Sequence, residues 1–190
     1  NNNFDYPNSS LPDAAESFTQ SNPFPFIVKP RFGHTSEKVF LVKNKEELDV
    51  ALKKCNKPII QEYLGYPEQE YTCGATYINN KVLTSICLRR TLKNGNTQLA
   101  FSEKTNDIDK YIKMITSTMK PYGPINFQLQ LTERGPVIFE INPRFSGTTP
   151  MRALFGVNEF FSCDKSTPCE SLPLFHFSFS GSAPQLTGLP

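Results

Sequence analysis

Residues 123–149, with the sequence GPINFQLQLTERGPVIFEINPRFSGTT, constrain the fold of this chain most strongly. Apolar and polar side chains alternate over residues 125–131 and again over 137–142, and a Gly-Pro dipeptide lies between the two runs. An alternation of period two predicts a strand with one apolar face. Two such strands joined by a short turn, here expected at 132–136, predict a β-hairpin.

The polar face of this hairpin carries candidate metal ligands. We expect Leu131 to lie opposite Val137 across the turn. This register puts Gln128 opposite Glu140, on the face that Asn142 shares. One carboxylate and two amide oxygens are too few for a closed protein cage, and Mg²⁺ is usually held in this way together with waters and substrate phosphates. A half-buried hairpin with a polar outer face is the alternative interpretation.

Arg144 and a small-residue loop at 146–149 follow the second strand. A cation and a loop rich in hydrogen-bond donors, placed beside a carboxylate-bound metal, are the components of a phosphoryl-transfer site. The hairpin and its extension therefore predict phosphoryl transfer.

A second informative stretch, residues 24–42, carries cations and a glycine between two short apolar strands. Lys29 and Arg31 precede Gly33, and Ser36 lies three residues after that glycine. Backbone amides in such a turn can cradle phosphate oxygens, with Lys29 as a point charge beside them. The chain contains no Walker A motif, and a basic, solvated hairpin turn is the alternative interpretation.

The composition limits the classes of partner. Of the 190 residues, 38% are hydrophobic and 20% are charged, which is ordinary for a globular protein, and the net charge is +2. This charge gives no electrostatic case for a nucleic-acid partner. No apolar run approaches the roughly 18 residues of a membrane helix, so we expect no membrane partner. The chain shows no signal peptide but starts without Met, so we expect an upstream segment that is missing here.

The cysteines are odd in number and scattered, without a Cys-x-x-Cys pair: Cys55, Cys73, Cys87, Cys163 and Cys169. This pattern favours reduced thiols, mostly as small core residues, over disulfides or a zinc site. It predicts a cytoplasmic protein.

Periodicity predicts the remaining elements. Asn44 and Glu47 have the spacing of a capping box, which predicts a helix that begins at Asn44 and ends near residue 54. Further strands are predicted at 58–64, 70–78, 81–88 and 97–101, and further helices at 107–119 and 151–155.

The order of four motifs resembles the ATP-grasp superfamily: KPRFG, QEYLGYPEQEYTCG, NFQLQ and FEINPRFSGTT. The resemblance covers about residues 24–159 and is strongest to the carbamoyl-phosphate-synthase-like branch. It implies an α+β ATP-grasp fold, in which two α+β subdomains bind the nucleotide between their sheets. It further implies a linker at 1–22 from a missing upstream domain, a small lid subdomain at 23–64, a large subdomain with the metal site at 65–161, and an irregular tail at 162–190.

The resemblance implies ATP as a cofactor and assigns residues to it. Lys29 would contact the phosphates. Main-chain groups of Glu62, Tyr63 and Leu64 would pair with the edge of adenine, and the Glu62 carboxylate would accept a hydrogen bond from the adenine amino group. Glu70 would hold the ribose hydroxyls. Exposed charges on a strand are the alternative interpretation of Glu62 and Glu70. The turn from Gly33 to Ser36 would close over the phosphates.

The resemblance also implies Mg²⁺, or Mn²⁺ in its place. Gln128, Glu140 and Asn142 would be the metal ligands, with Glu140 bridging two ions, so that Gln128 and Glu140 also belong to the cofactor site. Arg144 would stabilise the transferred phosphoryl group and, with Lys29, would be a catalytic residue.

Two interpretations of the neighbouring Arg89 and Arg90 stay open. They contact the phosphates or a substrate carboxylate, or they belong to a solvated turn. Gln128 is an amide where many family members have an acid, which leaves fewer negative charges to hold metal without nucleotide. The phosphate-binding cation of the family's preceding domain lies outside this sequence.

The implied function is that of an ATP-dependent carboxylate–amine ligase, which activates a carboxylate as an acyl phosphate for attack by an amine or another nucleophile. The expected partners are small carboxylate and amine-type substrates, the missing N-terminal domain and a second copy in a homodimer. The alternative is a non-catalytic nucleotide-binding module of a larger assembly.

Overall fold

The computed structural model describes residues 4–32, 38–93, 95–103 and 105–160. These residues form two antiparallel sheets with helices packed on them. The strands are β1 (Ser9–Ser10), β2 (Phe26–Pro30), β3 (Phe40–Val42), β4 (Pro58–Glu62), β5 (Glu70–Ile78), β6 (Lys81–Lys93), β7 (Asn96–Phe101), β8 (Gly123–Thr132) and β9 (Gly135–Asn142). The helices are α1 (Ala15–Ser21), α2 (Lys45–Lys54), α3 (Asn106–Met119) and α4 (Thr149–Leu154), with short 3-10 helices at Pro12–Ala14 and Pro67–Gln69. The expected α+β class is confirmed.

The small sheet has the strand order β1-β4-β2-β3. Phe26 and Val28 of β2 and Ile60 of β4 are completely buried in a core that α1 and α2 cover. Because side chains alternate along a strand, Lys29 of β2 and Gln61 of β4 lie on the other face of this sheet. That face is free to meet the second sheet.

The capping-box prediction for α2 is confirmed. Asn44 Oδ1 accepts a hydrogen bond of 2.9 Å from the backbone N–H of Glu47, which satisfies one of the unpaired donors at the start of the helix. The Glu47 carboxylate reaches back and accepts a hydrogen bond of 2.8 Å from the backbone N–H of Lys43. The helix then buries Leu48 and Ala51 against the small sheet.

Much of the segment predicted as a linker at 1–22 is instead part of the fold. Ser9 and Ser10 pair with β4 as an edge strand, and Phe18 of α1 lies in the small core. Asp5 accepts a hydrogen bond from the backbone N–H of Ile138 through its own carbonyl, so the segment also contacts the second sheet. No local pattern indicated this pairing, because a two-residue strand has no detectable period. The connection of this segment to an upstream domain stays a prediction.

The large sheet has the strand order β7-β6-β5-β8-β9. Cys73 of β5 and Phe127 of β8 are completely buried in a core that Ile112 and Ile115 of α3 complete. The predicted helix at 107–119 and strand at 70–78 are confirmed. No helix among the described residues is long and apolar enough to cross a membrane.

The hairpin of β8 and β9 has a register that the sequence predicted only in part. Leu131 lies opposite Pro136 rather than Val137, because the turn is two residues long. The register then shifts by one residue at a β-bulge, which leaves Phe139 unpaired between Ile138 and Glu140. Gln128 consequently does lie opposite Glu140, as predicted.

Candidate functional site

One face of the large sheet carries most of the candidate site residues. Tyr71 and Cys73 of β5 point toward the core, so Glu70 and Thr72 lie on the opposite face. Strand pairing then places partners from β8, β9 and β6 beside them. We call this surface the polar face, and its residues are Glu70, Thr72, Arg90, Asn126, Gln128, Gln130, Glu140 and Asn142.

Lys29 joins the polar face from the small sheet. Its Nζ donates a hydrogen bond of 3.3 Å to the carbonyl oxygen of Phe139, the bulged residue, and lies 5.9 Å from the centroid of the Phe139 ring. Burial lowers the pKa of Lys29, and the nearby Glu140 carboxylate opposes this by raising it. The structure therefore brings together two predicted site residues, Lys29 and Glu140, that belong to different sheets.

Glu140 and Asn142 are adjacent on the polar face near its edge. Asn142 Nδ2 donates a hydrogen bond of 2.6 Å to Glu140 Oε1, and Glu140 is exposed. The oxygen of an amide is its metal-binding atom, so a cation shared with Glu140 requires the Asn142 amide to turn over. Among the described residues no group of three His, Cys, Asp or Glu side chains could hold a metal. This donor set fits a cation that is held jointly with phosphate oxygens.

Arg90 lies at the centre of the polar face, a position that the sequence prediction missed. The strand β6 extends to Lys93 rather than ending at residue 88, so Arg90 lies within it. Its Nη2 is 2.5 Å from Glu70 Oε1 and donates a hydrogen bond of 2.9 Å to Gln128 Oε1. Glu70, the predicted ribose ligand, and Gln128, a predicted metal ligand, therefore both accept hydrogen bonds from the Arg90 guanidinium.

Arg89 has different surroundings from its neighbour. Its Nε donates to Glu103 Oε1 over 2.6 Å, and its guanidinium lies 4.7 Å from the centroid of the Phe101 ring. Adjacent residues in a strand point to opposite faces. Of the two arginines, Arg90 alone contacts the polar face.

Glu62, Tyr63 and Leu64 lie at the end of β4 and in the connection to the large sheet. The Glu62 backbone N–H donates to Asn8 over 2.8 Å, and its carboxylate lies 3.1 Å and 3.2 Å from Arg134 Nη2. An adenine amino group would therefore have to compete with Arg134 for this carboxylate.

A cavity of about 210 Å³ lies between the two sheets, and its lining includes Tyr6, Gln61, Phe139 and Glu140. Gln61 and Lys29 lie on the same face of the small sheet. Glu140 both lines this cavity and lies near the Lys29 ammonium. The predicted contacts Gly33 and Ser36 lie outside the described residues, so their role stays a prediction.

Arg144 is exposed at the start of the loop after β9. Its Nη1 donates a hydrogen bond of 3.0 Å to the carbonyl oxygen of Phe145. No contact with another described residue fixes the guanidinium against the polar face, and its catalytic role stays a prediction.

A buried ion pair lies under the small-residue loop at 146–149, and it was not predicted from the sequence. Arg152 Nη1 donates to Glu159 Oε1 over 2.9 Å, and each residue is only 1% exposed. Arg152 Nη2 also donates to Thr72 Oγ1, over 3.0 Å, and to Asn126 Oδ1. A Cβ at Gly74 would overlap both Glu159 and Arg152. The one signal in the sequence was this glycine within a strand, which often marks a close approach.

The same ion pair holds the small-residue loop. Thr149 Oγ1 donates to Glu159 Oε2 over 2.8 Å, and the Thr148 and Ser146 hydroxyls lie 2.7 Å apart. The Thr148 hydroxyl lies 3.3 Å from that of Thr72 on the polar face. Hydroxyls of this loop are therefore bonded within the protein.

Comparison with protein families gives one match that covers more than half of the chain. The family is described as ATP-grasp in the biosynthetic pathway with Ter operon, and its model matches residues 54–163. A curated relative, the D-alanine–D-alanine ligase of Fusobacterium nucleatum, is 49% identical over 41 residues, which are 22% of this chain and 14% of the ligase.

Solved structures share the fold at low sequence identity. N5-carboxyaminoimidazole synthetase from Staphylococcus aureus, complexed with ADP, has a TM-score of 0.69 and 16% identity, over 89% of this chain and 48% of the synthetase. The D-alanine–D-alanine ligase of Helicobacter pylori has a TM-score of 0.62 and 20% identity, over 87% of this chain and 54% of the ligase. The chain thus spans about half the length of these structures.

Proposed function

We propose, since this chain belongs to the family of ATP-grasp proteins in the biosynthetic pathway with the Ter operon, that it forms the nucleotide-binding part of an ATP-dependent ligase. The expected superfamily is confirmed. The observation that carries the proposal is the approach of Lys29, from the small sheet, to Glu140 of the large sheet. A cation and a carboxylate at one position suit a phosphate chain and the divalent cation that accompanies it.

In this proposal the nucleotide lies between the sheets. Lys29 binds phosphate oxygens as a point charge, and the contact that it now makes to the Phe139 carbonyl keeps it extended toward them. Glu140 and Asn142 hold Mg²⁺, which supplies charge neutralisation for the phosphates. The base lies at the end of β4, where the family resemblance implies contacts from Glu62, Tyr63 and Leu64.

The chemistry that we propose is activation of a carboxylate as an acyl phosphate, followed by attack of an amine or another nucleophile. The similarity to a D-alanine–D-alanine ligase and to a carboxyaminoimidazole synthetase supports the ligase class. The N-P-R sequence that ends in Arg144 supports the finer assignment to the carbamoyl-phosphate-synthase-like branch. Arg144 is exposed and makes no ion pair with any described residue, so it can turn toward a transferred phosphoryl group.

The test is thermal unfolding with ADP or a non-hydrolysable ATP analogue, each with and without Mg²⁺. A ligand that binds only the folded state must raise the unfolding midpoint. We expect a Mg²⁺-dependent rise that Glu140→Gln abolishes. Each rise is measured from the midpoint of the same variant without ligand, because Glu140 also lies near the Lys29 ammonium. Glu133→Gln, an exposed glutamate in the turn of the same hairpin, is the matched control and should keep the full rise.

Two other outcomes are informative. An equal rise in the wild type and in Glu140→Gln would contradict the metal role of that carboxylate. A nucleotide complex that transfers no phosphoryl group to any carboxylate in the full-length protein would favour the non-catalytic module.

A further inference from the structure

The oxygen of Gln128 that was expected to bind a metal is already hydrogen-bonded to a fixed cation. Arg90 Nη2 donates to Gln128 Oε1 over 2.9 Å. The guanidinium is charged at every physiological pH and Arg90 is only 7% exposed. Any cation that bound to the same oxygen would therefore lie against a positive charge with little water to screen it.

Arg90 is held in place from three other strands. Its Nε and Nη2 both donate to Glu70 Oε1 of β5, over 2.9 Å and 2.5 Å. Its Nη1 donates to Thr97 Oγ1 of β7 over 3.3 Å, and Gln130 of β8 donates to the second oxygen of Glu70 over 3.4 Å. Strand pairing fixes Glu70 opposite Gln130. The pairing of the strands therefore fixes the position of the Arg90 guanidinium.

The chemistry of Gln128 strengthens this conclusion. An amide brings no negative charge, so it cannot offset the repulsion between a divalent cation and the guanidinium. Among the described residues, the carboxylate beside Arg90 is that of Glu70, and Nε and Nη2 of Arg90 already donate to it. Glu140, in contrast, is exposed, and its carboxylate accepts a hydrogen bond from Asn142. The polar face thus has two separate groups of bonded side chains. One is Arg90 with Glu70 and Gln128, and the other is Glu140 with Asn142.

We propose, as a consequence that rests on the proposed function, that Arg90 occupies at Gln128 the place of a second divalent cation. The chain then binds one divalent ion with its nucleotide, at Glu140 and Asn142. Gln128 is not a metal ligand, and Arg90 is a positioning residue that fixes Glu70 and Gln128.

The experiment counts Mn²⁺ bound to the full chain in the presence of a non-hydrolysable ATP analogue, by electron paramagnetic resonance. Two ions about 4 Å apart would be magnetically coupled and would replace the six hyperfine lines of a single Mn²⁺ by a larger set of lines at about half the spacing. We expect one bound Mn²⁺ per chain and only the six-line spectrum of an isolated ion. Gln128→Met should leave the Mn²⁺ affinity unchanged, whereas Glu140→Gln should lower it by at least about tenfold.

A charged variant sharpens the test. In Gln128→Glu the new carboxylate should pair with Arg90, so the count should stay at one. Two bound ions in the wild type, one of which is lost in Gln128→Met, would overturn the inference and leave the proposed function standing. A second ion gained in Gln128→Glu would also overturn it. No Mn²⁺–nucleotide binding by the wild type would overturn the proposed function and this inference together.

Discussion

Lys29 is a cation that the fold holds at an unfavourable position. Its ammonium lies between the sheets, and burial lowers its pKa from the ordinary value of 10.5, with partial opposition from Glu140. A residue placed in this way costs stability at neutral pH, and such positions are more frequent at functional sites than elsewhere. The cost in stability of burying the Lys29 ammonium is consistent with a role in binding an anion.

Replacement of Lys29 by Met should therefore stabilise the protein at pH 7. In the folded state the lysine loses its proton at a lower pH than in the unfolded state, so the wild type regains stability as the pH rises toward 10.5. The advantage of Lys29→Met should shrink over that range. Urea denaturation at a series of pH values measures it, with the exposed Lys81→Met as control. A pH-independent difference would contradict this explanation.

Gly74 shows how one missing side chain permits a buried ion pair. Gly74→Ala would put a methyl group into the space of the Glu159 carboxylate and the Arg152 guanidinium. Either displacement leaves a buried charge without its partner, so we expect a loss of about 3 kcal/mol in the free energy of unfolding. Gly147→Ala, with no atom within 4 Å of its Cβ, is the control and should change stability by less than about 0.5 kcal/mol. Equal effects of the two substitutions in urea denaturation would contradict the account.

At the scale of elements, the β8–β9 hairpin depends on its bulge. The two-residue turn alone would shift β9 by one position relative to the predicted register. The unpaired Phe139 restores the alignment of Gln128 with Glu140, and its carbonyl receives Lys29. The edge position of β9 permits both the bulge and Pro136, because one side of an edge strand makes no ladder hydrogen bonds.

The helix α2 is the element whose start is most sharply specified. Asn44→Ala removes the side chain that caps the Glu47 N–H, and should lower the free energy of unfolding by about 1 kcal/mol. Lys45→Ala, at the exposed next position, should have little effect. Chemical denaturation of both variants gives the comparison. An Asn44→Ala protein as stable as the wild type would show that the cap does not limit the stability of this unit.

At the scale of the molecule, two separate hydrophobic clusters lie under the two sheets. The bridge between Glu62 and Arg134, at 3.1 Å, and the Lys29 contact join the two units across exposed or half-buried surface. Exposed ion pairs stabilise by about 1 kcal/mol or less, so motion of the small unit against the large one is expected. The division into a lid and a large subdomain stays a prediction.

Hydrogen exchange tests that division. Amides of residues 9–62 should exchange faster than those of the paired strands within 70–142, because the small sheet has the smaller core. Nucleotide with Mg²⁺ should slow exchange mainly in the small unit, since binding between the sheets fixes it in place. Uniform protection of both units, unchanged by nucleotide, would be evidence against a mobile lid.

The sequence by itself determined the features that depend on neighbouring residues. The alternation around Gln128 and Glu140 placed both on one polar face, and the Asn44–Glu47 spacing specified the start of α2. The order of the four motifs was sufficient for the superfamily. Each of these signals needs a window of a few residues, because strand alternation and helix capping are local physics.

Only the tertiary structure decided which distant residues meet. Arg90 pairs with Glu70 and Gln128 because β6, β5 and β8 are neighbours in the sheet, and Arg152 pairs with Glu159 because Gly74 leaves room. A buried charge takes whichever partner the packing brings to it, and its unpaired state costs several kcal/mol. The partner is therefore set by the strand order and the bulge, which no local pattern records.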